Sequence, residues 1–347
     1  MLRRKFRPRK LSEQTIVITG ASSGIGLATA QLAAQRGAAV VLSSRNEAEL
    51  QRVVQAINDA GGRATYAVAD VSNPEELDAV AHEAIRAFGG IDTWVNNAGI
   101  SIYGKLTEVP MEDKKRLFDV NFWGVVNGCR TAVLQMRERG GTIINIGSIV
   151  SDQAIPLQGI YSASKHAVQG YTNALRMELE HDKLPISVTL VKPSAIDTPY
   201  LEHARNYMDA APSFPPPVYA PEVVARTILK CAERPVREIT VGGGGRMMTL
   251  LGAAAPRLAD KYMEATMFSQ QQDPEGRNRT MDSLYSPKRD GRRTGPYDGH
   301  VMQSSAYTGA KMSRVAQALP WIAAVVVFAA GVRRLQGEDT GVRRTEA

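Results

Sequence analysis

The stretch Thr15-Ile-Val-Ile-Thr19-Gly20-Ala-Ser22-Ser23-Gly24-Ile25-Gly26 decides how the chain starts to fold. Its first five residues form a β-branched run suited to a buried strand. The glycines that follow predict a tight turn, and the pattern from Leu27 to Arg36 predicts a helix directly after it. Strand, glycine turn and helix in this order bring the unsatisfied N–H groups of the helix N-terminus beside the strand end. Glycines there let main chain approach a pyrophosphate closely. Gly20, Ser22, Ser23, Gly24, Ile25 and Gly26 are therefore the candidate phosphate loop. Gly20-Ala-Ser22-Ser-Gly24 also fits Gly-x-Ser-x-Gly, the nucleophile turn of α/β hydrolases. That alternative needs an acid and a His at later strand ends, and none of His82, His166, His181, His203 and His300 stands in such a place.

Outward from this stretch, short apolar or β-branched runs recur at Ala39 to Ser43, Ala64 to Ala69, Thr93 to Asn96, Gly141 to Ile146, Ser187 to Val191 and Glu238 to Val241. Longer helical patterns separate them. Continuous apolar strands alternating with helices predict a parallel sheet covered on both faces. The expected fold is α/β, a doubly wound parallel seven-stranded sheet in a single domain over 11–245, with a C-terminal helical tail.

Residues 246–268 are apolar and read as an amphipathic helix. Residues 269–313 are polar, Gly- and Arg-rich and nearly free of aliphatics, so they read as a disordered linker. Residues 315–335 read as a hydrophobic helix: from Val315 to Val332 only Gln317 is strongly polar, and Lys311, Arg314, Arg333 and Arg334 flank the run. That length is just enough for a membrane anchor; the alternative is a helix docked on the domain or a partner subunit. A polar tail, 336–347, closes the chain.

The formal charge of +7 is local, because Arg3, Arg4, Lys5, Arg7, Arg9 and Lys10 place six positive charges in a basic arm over residues 1–10. The rest is close to neutral, so no nucleic-acid partner is expected. Cys129 and Cys231 lie far apart without His partners, so neither a zinc site nor a disulfide framework is expected, and no other metal. A reducing, cytoplasmic setting for the catalytic domain fits.

A second stretch carries chemistry. Ser148 follows the strand ending at Ile146, Tyr161 stands thirteen positions on, and Lys165 four positions later on a predicted helix. Residues four apart share a helix face, so Lys165 is placed to favour ionisation of the Tyr161 phenol. Ser148 is placed to hold a substrate carbonyl. At the end of the second strand, Ser44 and Arg45 stand where an acid selects NAD, and an Arg there favours NADP.

Together, Thr19-Gly-x-x-x-Gly-x-Gly26, Asp70-Val71, Asn96-Asn97-Ala98-Gly99, Asn121, Ser148 and Tyr161-x-x-x-Lys165 resemble the short-chain dehydrogenase/reductase family, in its compact one-domain branch. The resemblance covers about Leu11 to Gly245 and implies a Rossmann sheet. It implies that Asp70 and Val71 contact adenine, and that Asn97, Ala98 and Gly99 back the cofactor. It adds Asn121 as a fourth catalytic residue that holds a water in a proton relay to Lys165. Pro193, Ile196 and Thr198 are implied to meet the nicotinamide, and the usual Gly after this Pro is Ser194 here. It also implies a homo-dimer or tetramer built on the helices leading from Asn121 and Tyr161.

On this basis the chain is expected to interconvert a secondary alcohol with a ketone or aldehyde, using NADP(H). Tyr161 moves the proton, Ser148 bonds the oxyanion, and Lys165 lowers the Tyr161 pKa and holds the nicotinamide ribose. The irregular stretch from Ser194 to Tyr219 reads as a substrate lid, with Tyr200, Tyr207 and Phe214 joining Ser148 and Tyr161 around a lipophilic substrate. Two alternatives are a membrane-tethered NADP(H)-binding sensor or scaffold without catalysis, and sugar-nucleotide epimerisation, which shares Tyr-x-x-x-Lys.

Overall fold

The structure is a computed structural model that describes residues 7–276, 282–288 and 291–313. Seven parallel strands form one sheet: β1 (Thr15–Thr19), β2 (Ala39–Ser44), β3 (Arg63–Val68), β4 (Thr93–Asn96), β5 (Gly141–Ile146), β6 (Ile186–Pro193) and β7 (Glu238–Val241). Their spatial order is β7-β6-β5-β4-β1-β2-β3, with β1 beside both β2 and β4. All seven strands expected from the sequence are present; β2, β3 and β6 differ from the expected limits by one or two residues.

Alternation within the strands builds two cores. Ile16 and Ile18 of β1 face the layer of α1 (Gly24–Gln35), α2 (Glu47–Asp59) and a helix at Pro221–Glu233. Val17 between them faces the layer of α3 (Pro74–Phe88), α5 (Gly124–Met136) and α6 (Gly159–His181), the short α4 (Met111–Phe118) leading into α5. Both faces are covered, which is why the strands read as unbroken apolar runs. The order in which strands are added reverses between β1 and β4, so the strand ends there open a crevice at the carboxyl edge of the sheet.

Beyond β6 lies α7 (Tyr200–His203), followed by α8 (the Pro221–Glu233 helix). The single amphipathic helix expected over 246–268 is two helices, α9 (Gly243–Ala254) and α10 (Pro256–Gln270). Pro256 forces the break, holding Ala255 out of the helical region (φ −144°, ψ 68°).

The polar stretch 269–313 corrects the expectation of a linker wherever it is described. Gln272–Asp273 pairs with Ala211–Pro212, Val301–Met302 pairs with Val218–Tyr219, and α11 (Ala306–Lys311) is capped by the Ser305 side chain. Leu284 and Thr308 are buried, and the Gly242 N–H donates to Thr308 Oγ1 at 3.1 Å. Main-chain groups and polar side chains fix this segment, so it needs few aliphatics. No helix among the described residues is long and apolar enough to cross a membrane. The run Val315 to Val332, the polar tail and residues 1–6 lie outside the described residues.

Candidate active site

The glycine turn is shaped by two constraints. Gly20 has φ +65°, in the left-handed region, and a Cβ on Gly26 would stand 2.2 Å from the Gly20 carbonyl oxygen. Asn97 fixes the turn from the next strand end, its Nδ2 donating to the carbonyls of Thr19 at 3.0 Å and Gly20 at 3.2 Å. Because Gly26 meets main chain, Gly26→Ala is expected to cost about 1–3 kcal/mol of stability, read by urea titration. An unchanged midpoint would mean that the turn shifts freely.

A buried polar chain holds the ends of β4 and β5 in register. The indole of Trp94 donates to Asn96 Oδ1 at 2.7 Å, Asn96 Nδ2 to Asn145 Oδ1 at 2.8 Å, and Asn145 Nδ2 to Thr172 on α6 at 3.0 Å. Just past β5, Ser148 caps a short 3-10 turn: its Oγ accepts from Val150 N–H at 3.2 Å, while Ser151 Oγ accepts from Ser148 N–H at 3.1 Å. Tyr161 stands in the first turn of α6. Lys165, one turn on and 4% exposed, donates to the Ile146 carbonyl at 2.9 Å and lies 5.6 Å from the centre of the Tyr161 ring. Asn121 sits in a π-helical turn at Asp119–Trp123, its amide clamped to both Ile100 main-chain groups and to Ser164. A Cβ on Gly99 would lie 3.4 Å from Asn121 Oδ1 and 3.8 Å from Lys165 Nζ, so the three meet at one point.

Burial raises the Tyr161 phenol above its ordinary value, while the Tyr200 and Ser148 hydroxyls oppose the rise. The expected lowering by Lys165 therefore does not prevail here. Lys165 is itself pushed down to about 8 by burial. A protonated phenol beside a serine hydroxyl can donate to a carbonyl oxygen.

The predicted residues gather in two adjoining hollows. Gly20, Ser22, Ser23, Gly24, Ile25, Ser44, Arg45, Asp70, Val71, Asn97, Ala98, Gly99 and Thr198 line one elongated cleft. Ser148, Tyr161, Lys165, Pro193, Ile196, Tyr200 and Phe214 line the neighbouring pocket, which shares Ile25, Asn97, Gly99, Thr198 and Tyr200 with the cleft. Gly26 and Asn121 support these walls from behind. Ser194 spans to the Gly242 carbonyl at 3.4 Å.

Three placements differ from expectation. Tyr207 is not brought to the pocket, because its hydroxyl donates to buried Asp113, which also takes Arg205 at 2.8 Å and Tyr285 at 2.8 Å. Arg45 donates to the carbonyls of Ser283, Leu284 and Tyr285 and lies 4.0 Å from Asp70. Asp70 is held by Arg116 and by Ser72 Oγ at 2.7 Å; burial pushes its pKa up, but these bonds leave it below the ordinary value.

The sequence reading missed Tyr103, Gln158 and the tail residues Ser283, Pro287 and Lys288, all of which line the two hollows. Tyr103 is fully buried and its hydroxyl has no hydrogen-bond partner among the described residues. Gln158 takes the Tyr200 hydroxyl at 3.0 Å and donates to Gln271 at 2.8 Å. Such pairings between distant residues leave no local pattern.

The family profile described as "short chain dehydrogenase" matches residues 14–209. The chain is 41% identical over 336 residues to the uncharacterized oxidoreductase YxnA of Bacillus subtilis, covering 96% of this chain and 94% of that protein. It is 39% identical over 202 residues to a 3beta-hydroxysteroid dehydrogenase 1 of Eggerthella lenta, covering 57% and 76%. Among solved structures it is similar to a short chain dehydrogenase/reductase from Burkholderia phymatum in complex with NAD, with TM-score 0.65, 26% identity, and coverage of 79% and 99%. An alcohol dehydrogenase from Thermococcus sibiricus complexed with 5-hydroxy-NADP aligns with TM-score 0.58, 25% identity, and coverage of 65% and 95%.

Proposed function

Because the chain belongs to the short-chain dehydrogenase/reductase family and is an oxidoreductase of that kind, we propose that it reduces a lipophilic ketone, and in reverse oxidises the secondary alcohol, with NADP(H). The observation that carries this reading is the meeting of Ser148, Tyr161 and Lys165 in a pocket walled by Val150, Ile155, Phe214 and Pro215, directly beside the glycine-turn cleft.

The residues present fit a dinucleotide: the crowding at Gly26 keeps main chain bare where a pyrophosphate binds, and the helix N-terminus faces it. Bound there, the nicotinamide supplies or accepts a hydride. Ser22 to Ile25 would hold the pyrophosphate, Asp70 and Val71 the adenine, and Pro193, Ile196 and Thr198 the nicotinamide end. Tyr161 gives its phenolic proton to the substrate oxygen, and Ser148 donates to that oxygen as negative charge builds on it. Lys165 keeps an ammonium beside Tyr161 that offsets the negative charge left on the phenol oxygen, and would hold the ribose. Asn121 acts from behind, fixing Ile100 against Ser164 and carrying the relay that refills the proton.

Support for NADP comes from the end of β2, where Ser44 and Arg45 line the cleft in place of the acid that selects NAD. Support for a lipophilic substrate comes from the pocket walls and from the hydroxysteroid dehydrogenase relative. The proposal extends to a membrane anchor at Val315 to Val332, and to a homo-oligomer through the helices bearing Asn121 and Tyr161, where Trp123, Leu134 and Met177 are exposed.

The test is a panel of ketones matched in reactivity but graded in apolar size, assayed with NADPH and with NADH. The expected result is faster turnover of the large apolar members with NADPH. Activity confined to small polar carbonyls would overturn the substrate class.

The pH dependence follows from Lys165. Its ammonium is present below about pH 8 and lost above it. Reduction is therefore expected to be level below that pH and to fall above it, roughly tenfold per pH unit if the charge is essential. A flat profile to pH 10 would remove Lys165 from the chemistry.

A further inference from the structure

Ile149, Val150, Ile155, Phe214 and Pro215 give the pocket beside the glycine turn an apolar wall, and Tyr103, Gln158 and Tyr200 interrupt it. Tyr103 enters on a short strand, Ile102–Tyr103, that runs parallel to Arg205–Asn206. Alternation sends Ile102 into the core of the α5 and α6 layer and Tyr103 the other way, against Leu157 and Ala204. Tyr103 is fully buried, and its hydroxyl has no hydrogen-bond partner among the described residues. It stands near enough to the Tyr161 and Tyr200 hydroxyls for their charges to couple. A buried hydroxyl without a partner costs free energy, so its retention at a pocket wall calls for a ligand that supplies the bond.

The neighbouring Tyr200 hydroxyl is oriented by a chain that starts outside the pocket. Gln271 caps the end of α10, beyond the family match at 14–209, and its Nε2 donates to the carbonyls of Pro156 at 2.9 Å and Met267 at 3.2 Å. Carbonyls only accept, so the atom that Gln271 turns toward Gln158 is its oxygen, which takes Gln158 Nε2 at 2.8 Å. The Gln158 oxygen in turn takes the Tyr200 proton at 3.0 Å. The backbone carbonyls thereby fix the direction of every bond in the chain, and the Tyr200 oxygen keeps lone pairs for a donor in the pocket. In reduction the Tyr161 proton goes to the substrate carbonyl, so those lone pairs stay open to a second donor. A hydroxyl answers both residues, because it accepts from Tyr103 and donates to Tyr200.

We infer that Tyr103 and Tyr200 form a second polar subsite, and that the substrate is a hydroxyketone: an otherwise apolar molecule with one hydroxyl apart from the carbonyl that Ser148 and Tyr161 hold. The inference rests on the ketone-reducing reading given above and names the substrate class of that same pocket. A ketone without the hydroxyl leaves the Tyr103 hydroxyl unpaired in the complex, which is how such a site rejects it.

The test compares kcat/KM with NADPH for matched pairs of alicyclic ketones, the members of each pair differing by one hydroxyl, set at graded separations from the carbonyl. Wild type is expected to favour the hydroxylated member of at least one pair by about tenfold or more. Tyr103→Phe is expected to bring that ratio to about one, and Tyr200→Phe to lower it too, whatever its contact with Tyr161 does to both rates. Each ratio compares two substrates on one protein, so a loss of folded or coenzyme-bound enzyme cancels. A second readout needs no turnover: Tyr103→Phe is expected to raise the urea midpoint of the free protein, since it removes a buried hydroxyl without a partner. A midpoint that fails to rise, a ratio near one in wild type for every pair, or a preference that survives Tyr103→Phe overturns this inference alone. Wild type that reduces no ketone of the panel overturns the inference together with the reading beneath it.

Discussion

Tyr161→Phe is expected to bind NADPH as wild type does and to lose turnover by about 10²–10⁴-fold, the usual contribution of a positioned proton donor. The substitution removes only the hydroxyl. The ring keeps its edge-on contact with Tyr200, 5.7 Å between centres, and its place 5.6 Å from the Lys165 ammonium. Because burial holds the phenol protonated, the lost group is an acid at neutral pH, and the defect should be largest in the direction of ketone reduction. Coenzyme titration and steady-state rates on one ketone measure both halves. Unchanged kcat would remove Tyr161 from the reaction, while lost coenzyme binding would make its role structural.

Lys165→Met is expected to abolish most turnover and yet to stabilise the fold at pH 7. Burial lowers the Lys165 pKa from 10.5 to about 8, which corresponds to about 3 kcal/mol of destabilisation while the group is charged in both states. Losing its hydrogen bond to the Ile146 carbonyl returns about 1 kcal/mol, so the net gain is about 2 kcal/mol. The sign of the pH dependence is fixed. Below about pH 8 folded and unfolded chains both carry the proton, and the full penalty stands. Between about 8 and 10.5 only the unfolded chain binds it, so wild type gains stability as pH rises and approaches the variant. Urea titrations of both proteins at pH 7 and pH 10 are expected to show a gap that narrows. A variant less stable at both values, with no convergence, would contradict the assigned burial cost.

The sheet and the glycine turn were legible because they rest on local signals. Strands covered on both faces read as apolar runs, and Gly20 and Gly26 stand where a positive φ and a 2.2 Å approach exclude side chains. Ser148, Tyr161 and Lys165 were legible because motif spacing within one helix and one strand end brings them together. Tyr207 was misplaced because an aromatic residue in a lid suits an apolar pocket as well as the hydroxyl bond it makes to Asp113. The tail was misread for a different reason. Composition reports hydrophobic burial, whereas Arg45, Asn46, Gly24 and Asp197 hold the tail through carbonyls and N–H groups that every sequence possesses. The same blindness hid Lys288, whose ammonium donates to the Glu202 carbonyl across the cleft.

Transfer of label from coenzyme to product tests the central claim most directly. Wild type is incubated with NADPH carrying deuterium at the transferable C4 position and a large apolar ketone, and the product alcohol is analysed by mass spectrometry and NMR. The predicted result is one deuterium on the carbinol carbon, formed by wild type and lost with Tyr161→Phe. Tight NADPH binding with no deuterated alcohol across the ketone panel would contradict the assignment of Ser148, Tyr161 and Lys165 as a carbonyl-reducing site.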